Sequence, residues 1–219
     1  MCAVVTDISM SLDGFVAGPD PRMEEPIGTG GMRLHQWVFG LKTFLEMHGD
    51  GGGVTNADDD VIAEAHGRPG AVVMGRGMFG GGPGPWGSDP QWGEEPWEGW
   101  WGETPPYGMP VFVLTHHARE PITKLGGTTF TFVTDGVASA IDQAQAVCGD
   151  KDVAVPGGAA AIQQTLAAGL LDEIELHVIP VLLGDGVRLF DVLGAPVELE
   201  KLRVVDSPNV THLRYRVVR

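Results

Sequence analysis

Three stretches of this 219-residue sequence combine residue types suited to holding a phosphorylated ligand. In the first, "AVVMGRGMFGGG" over residues 71–82, Gly75, Gly77 and Gly80 match the G-x-G-x-x-G spacing of a dinucleotide-binding turn. Arg76 sits inside that turn, just past four apolar residues suited to a strand, and its planar donor fork matches phosphate oxygens. In the second, "DVAVPGGAAAIQQTLAAGL", Gly157 and Gly158 lie between a strand pattern and a helix that opens in small residues. Unobstructed backbone N–H groups around Gly157, Gly158, Ala159 and Ala160 suit a pyrophosphate. The third, "VFVLTHHAR", ends a strand pattern in Thr115, His116 and His117, donors suited to a ribose or a phosphate. Adjacent histidines on an extended chain point to opposite sides, so no joint metal site is expected.

The glycine spacing fails the test of its context. A Rossmann turn needs a helix directly after the glycines and an acid about 20 residues further on. Residues 80–85 read "GGGPGP", which permits barely one turn of helix, and no second strand ending in Asp or Glu follows at that distance. Short-chain dehydrogenase chemistry needs Tyr-x-x-x-Lys, whereas Tyr107 and Tyr215 are followed at that spacing by Val111 and Arg219.

The elements that must position these residues read as alternating strands and helices. "AVVTDIS" is a buried strand pattern, and "LDGFVAG" gives a turn and a second extended piece. "RLHQWVFGLKTFLEMH" carries a helical stripe of Leu34, Trp37, Val38, Leu41, Phe44, Leu45 and Met47. "TNADDDVIAEAHG" reads as a helix with Asp58, Asp59 and Asp60 at the positive end of its dipole. Strand patterns recur at "AVVM", "VFVL", "FTFV", "DVAV" and "EIELHVIPVLL", with helices at "GVASAIDQAQAVCG" and "GAAAIQQTLAAGL" between them. Such alternation predicts an α/β fold with a mainly parallel sheet. "VELEKLRVV", a turn at "DSPN" and "VTHLRYRVV" predict a C-terminal antiparallel hairpin. Its last strand puts Leu213, Tyr215 and Val217 on one face and His212, Arg214 and Arg216 on the other.

Residues 80–110 break this rhythm, being rich in Gly and Pro and without period. The stretch holds five of the six tryptophans, Trp86, Trp92, Trp97, Trp100 and Trp101. Long structureless loops in compact domains tend to be functional. This one reads either as an aromatic plug over a sheet edge or dimer seam, or as a substrate lid.

Composition narrows the classes. With 43% hydrophobic and 20% charged residues the chain reads as one globular domain over 1–219, with the tryptophan-rich stretch as an insertion. A net charge of −15 argues against a nucleic-acid binder, which needs clustered Lys and Arg. No apolar run approaches the roughly 18 to 20 residues of a membrane helix, and the N-terminus lacks the basic start of a signal peptide. Cys2 and Cys148 show no metal or redox spacing, which reads as a reduced, cytoplasmic protein.

Taken in order, "SMSLDGFVAG", "VVMGRGMF", "VFVLTH", "VPGGAAAIQQTL" and "GLLDEIELHVIPVLLGDGVRLF" resemble the dihydrofolate-reductase-like superfamily. Within it they resemble the branch of the reductase domain of the bifunctional riboflavin-biosynthesis deaminase/reductase and its stand-alone bacterial relatives. The resemblance implies a single-domain fold, NADPH as cofactor, a small-molecule substrate and a homodimer. It places the 2′-phosphate on Arg76, with Thr115 and His116 on the same ribose-phosphate, and the pyrophosphate on Gly75 and the backbone of Gly157, Gly158, Ala159 and Ala160. It places the nicotinamide carboxamide near Ser9, Val16 and Ala17. Asp13, in the Ser-x-Asp-Gly stretch, becomes the candidate proton donor or substrate anchor, against the plain reading of Asp-Gly as a hairpin turn. Trp37 and Trp86 are candidate substrate contacts, and Glu46 and His35 weaker catalytic candidates.

Two departures bear on the substrate. Residues 32–45 hold no acid where folate reductases place a carboxylate, and Pro156 stands where riboflavin-type reductases carry Glu before the paired glycines. The expected function is therefore hydride transfer from NADPH to a small C=O or C=N compound, heterocyclic in the family's manner. The alternatives are a nucleotide-binding protein of the same fold without turnover and a dihydrofolate reductase.

Overall fold

The structure, a computed structural model, describes residues 2–92, 97–191 and 193–219. Eleven strands and five α-helices follow in chain order: β1 (Val4–Ser11), β2 (Phe15–Ala17), α1 (Lys42–Met47), α2 (Ala57–Gly67), β3 (Pro69–Gly75) and α3 (Arg76–Phe79). After the tryptophan-rich segment come β4 (Pro110–Leu114), β5 (Ile122–Thr123), β6 (Thr129–Val133), α4 (Val137–Val147), β7 (Asp152–Gly157) and α5 (Ala159–Ala167). The chain continues through β8 (Glu173–Ile179), β9 (Val187–Arg188), β10 (Leu199–Ser207) and β11 (Val210–Val217).

Nine strands form one sheet in the order β10-β11-β8-β1-β7-β3-β4-β6-β5, and β2 pairs with β9 in a small antiparallel ladder. From β8 to β6 every pairing is parallel, and antiparallel pairs close both ends, as a mixed, mainly parallel sheet predicts. The centre reads as continuous apolar runs because it is covered on both faces. On β3, Ala71 and Val73 join the core under α4 and α5, while Val72 and Met74 join a second core with Phe79, Val111, Val113 and Phe130. Trp86, Trp97, Trp101 and Tyr107 pack against that second core, so part of the tryptophan-rich segment serves as a layer over β3, β4 and β6. Residues 93–96 of the segment lie outside the described residues.

Local chemistry explains the element ends. Asn56 caps α2 by accepting the Asp59 N–H at 3.0 Å, and the acidic first turn follows. Gly80 ends α3 after one turn with φ of 88°. A Cβ there would meet the Trp92 ring at 2.8 Å and Trp97 Nε1 at 2.9 Å, so glycine is what lets the indoles close over the turn.

Three expectations are corrected, and one burial is new. The single helix over residues 34–47 is instead a 3₁₀ turn (Gly31–His35), turns, and the short α1, because Leu41 leaves the helix to bridge Val54. The apolar run from 173 ends as a strand at Ile179, where Pro180 removes a ladder donor. His212, on the same strand face as Arg214 and Arg216, is buried there by α2 and β8. Cys2 and Cys148, read as unrelated thiols, are paired as a disulfide across 146 residues of chain.

Candidate functional site

The two glycine turns meet. β3 and β7 are parallel neighbours with Met74 opposite Gly157, so both turns leave the same edge of the sheet. A Cβ on Gly75 would lie 3.3 Å from the Gly158 nitrogen and 3.4 Å from the Ala161 methyl. This approach is possible because residue 75 has no side chain. Gly157 is buried, the Gly157–Gly158 peptide is cis, and Gly158 caps α5 with no side-chain partner. Ala159, buried, and Ala160, exposed, form the first helical turn, whose N–H groups have no carbonyl within the helix. The result is a floor of backbone donors beside a strand end, and a sequence read of G-x-G-x-x-G as a Rossmann turn is excluded by α3 ending after four residues.

Arg76 starts α3 and turns back toward β4. Its Nη1 donates to Thr115 Oγ1 at 3.3 Å, its Nε to the Gly80 carbonyl at 3.0 Å and its Nη2 to the Gly81 carbonyl at 2.8 Å. Its Cζ lies 3.1 Å from the centre of the Trp86 ring. Burial, with the Arg119 charge adding to it, brings its pKa down to about 10. Thr115, buried at the end of β4, also accepts the His117 N–H at 3.1 Å. His116 is exposed, and no side-chain hydrogen bond joins it to the group among the described residues. Arg76, Thr115 and the paired glycines thus share one end of the sheet, while Trp86 is occupied by Arg76 and gives its indole N–H to the His117 carbonyl at 2.8 Å.

Asp13 sits in the turn from β1 to β2 as a clamp. Its carboxylate accepts from the Ser11 hydroxyl at 2.6 Å, the Gly184 N–H at 2.8 Å and the Leu183 N–H at 3.1 Å. These donors, the Ser11 hydroxyl foremost, hold its pKa at about 2. In this arrangement the carboxylate acts as an acceptor, which suits the anchor half of its expected role. Val16 is buried, and the Ala17 carbonyl lies against Gly186, where β2 meets β9.

Ser9 opens onto a cluster that sequence reasoning missed. It lies opposite His177 on β8, and His177 lies opposite His212 on β11, so one row crosses three strands on one face. Trp37 covers the row: its Nε1 donates to Ser9 Oγ at 3.1 Å, and its ring sits 4.9 Å from His177 and 5.1 Å from His212. His177 Nε2 meets Asp7 Oδ1 at 2.9 Å, the two Nδ1 atoms meet at 2.7 Å, and His212 Nε2 meets Asp58 Oδ1 at 3.0 Å. With carboxylates at both ends, each Nε2 must donate, and one further proton must lie between the Nδ1 atoms. The pair therefore carries one net positive charge. Burial disfavours charge on His177, but Asp7 outweighs it and raises the pKa, whereas burial dominates and lowers that of His212. The imidazolium is assigned to His177 on that basis. The available signal was the alternation that puts Asp7 and Ser9 on one face of β1.

The comparisons with known proteins agree with this architecture. Residues 3–213 match the family model described as the RibD C-terminal domain. A putative riboflavin biosynthesis protein from Shewanella sp. PV-4 superposes with a TM-score of 0.64 at 22% identity, covering 99% of both chains. A bifunctional diaminohydroxyphosphoribosylaminopyrimidine deaminase/5-amino-6-(5-phosphoribosylamino)uracil reductase from Thermotoga maritima gives 0.55 at 16% identity, over 99% of this chain and 57% of that one. The riboflavin biosynthesis reductase Rib7 of Saccharomyces cerevisiae gives 0.55 at 13% identity, over 99% and 90%. No curated protein matches the chain in sequence. With the model spanning nearly all residues and the sheet order accounting for the convergence of its motifs, the chain belongs to the RibD C-terminal domain family.

Proposed function

We propose that the protein is an NADPH-dependent reductase of a small, heterocyclic C=O or C=N compound. The observation that carries this reading is the meeting of Gly75–Arg76 with Gly157–Gly158 at one sheet edge. The residues fit the coenzyme: a Cβ at residue 75 would fill the space beside the Gly158 N–H, and the start of α5 offers donors without side chains over them. Membership of a family of riboflavin-type reductases supports the reaction class.

Bound NADPH supplies the hydride, and the protein supplies placement. The N–H groups of Gly158, Ala159 and Ala160 hold the pyrophosphate, Arg76 and Thr115 the 2′-phosphate, with His116 free at the rim. Ser9, Val16 and Ala17 orient the carboxamide, and Trp37 fixes the Ser9 hydroxyl. Asp13 anchors substrate as an acceptor and holds the 183–184 loop in place. The three donors already on Asp13 are the observation that favours the second reading, nucleotide binding without turnover, because they engage its carboxylate as an acceptor.

Fluorescence titration of NADPH and NADH separates these ideas. NADPH is expected to bind about 10- to 100-fold tighter than NADH, the range of one or two charged hydrogen bonds, with the gap closing in Arg76→Ala. Equal affinities in the wild-type protein would sink the assignment. NADPH oxidation across a panel of cyclic imines and carbonyls then distinguishes turnover from binding alone. A homodimer completes the proposal; no helix among the described residues is long and apolar enough to cross a membrane.

A further inference from the structure

The tryptophan-rich segment takes up the donors that the coenzyme reading assigns to a phosphate. Arg76 gives its Nη2 hydrogens to the carbonyls of Gly81 at 2.8 Å and Gly84 at 3.5 Å, and its Cζ lies 3.1 Å from the centre of the Trp86 ring. Trp86 is held in turn by the His117 carbonyl and by edge-on contacts to Phe79 and Phe132, 5.8 and 5.0 Å between ring centres. Arg119 reaches the same indole, its Cζ 4.9 Å from the ring centre, and donates to the Trp97 carbonyl. Two guanidiniums therefore flank one indole.

Their partners are mostly neutral carbonyls of the loop. Among the described residues Glu98 is the acid that acts on Arg119, and it is already engaged by Lys124 at 2.6 Å. The Arg119 charge also raises the cost of the charge on Arg76. A carbonyl is a weaker partner for a guanidinium than a phosphate dianion, which forms charge-assisted bonds to the same fork. The loop fills the place of the stronger ligand without matching its charge.

We propose that the loop and the phosphomonoester of the coenzyme compete for Arg76. The incoming group displaces the Gly81 and Gly84 carbonyls and lifts Trp86 from the guanidinium, with Arg119 as second cation, so that Trp86 sets coenzyme selection. This rests on the coenzyme reading above and deepens it. The loop is a specificity element at the phosphate end, a different place from the substrate lid that its composition suggests.

The experiment compares wild type, Trp86→Phe and Trp86→Ala with two probes, adenosine 2′,5′-bisphosphate and adenosine 5′-monophosphate, by calorimetry and tryptophan emission. Trp86→Ala is expected to bind the bisphosphate about 3- to 10-fold tighter, the factor held by one cation–π contact, with the monophosphate unchanged. Trp86→Phe, which keeps the edge contacts with Phe79 and Phe132 but loses the bond to His117, should fall between and serves if the alanine variant does not fold. In the wild type the bisphosphate, and not the monophosphate, should change the emission. Bisphosphate affinity that is unchanged or weaker in both variants overturns the competition while leaving the coenzyme reading intact. Absence of bisphosphate binding in all three proteins overturns the coenzyme reading, and the competition with it.

Discussion

His177 and His212 share one proton at 2.7 Å between two aspartates, and this ties stability to pH. A histidine whose pKa is raised by folding adds stability that is fully present below its unfolded value of 6.5 and is lost as pH rises through the folded value. His177 is such a group. His212, His35 and His66 have lowered values, so their contribution is present above 6.5 and is lost as pH falls. The urea midpoint is therefore expected to decline on both sides of about pH 6.5, and His177→Gln to lose the alkaline decline while keeping the acid one. An alkaline limb unchanged in the variant would show that Asp7 does not hold the proton there. At this scale the convergence of Gly75, Arg76, Gly157 and Gly158 was legible, because they stand next to strand and helix boundaries. The histidine row was not. Its members come from β1, α2, β8 and β11, each with an unremarkable local pattern, and His212 shares a face with two arginines.

At the scale of elements the loop over β3, β4 and β6 is pinned from its far side by Lys124. That ammonium is buried, its side chain 4% exposed, and meets Glu98 at 2.6 Å and Glu103 at 3.0 Å. The bond to Glu98 chiefly raises its pKa despite burial. Lys124→Met keeps the apolar stem and removes both bonds. It should destabilise the loop by roughly 1–3 kcal/mol, the cost of unmade charged hydrogen bonds, and admit protease cleavage near residues 98–103. Cleavage as slow as in the wild type would count against the pin. Strands and the three longer helices α2, α4 and α5 were readable, since periods of 2 and 3.6 differ clearly over their lengths. The stripe over residues 34–47 misled because the chain breaks inside it: Leu34 packs with Ile179 and Val210 from a 3₁₀ turn, Leu41 bridges Val54, and α1 after them buries no residue fully. The loop's layering was hidden because aromatic content marks burial without naming the face.

Across the whole molecule, the alternation of strands and helices was enough for a mainly parallel sheet with a hairpin, but strand order was not legible. It depends on which edge each crossover joins, and nothing local records that β1 lies between β7 and β8. The outer strand β10 leaves Leu199, Leu202 and Val204 at 40%, 36% and 50% exposure. Edge strands with apolar residues invite pairing, so the homodimer proposed above would form through this edge. Val204→Lys should convert a dimer to a monomer by light scattering; a dimer that persists moves the interface elsewhere. The position of β1 has another consequence. Val4 pairs with Val153 and Val5 with Glu173, so the earliest strand waits for roughly 150 residues of synthesis before either neighbour exists. Through that interval Val4, Val5 and Ile8 of β1 have no strand to pair with, which makes this segment the one to expect under nascent-chain protection.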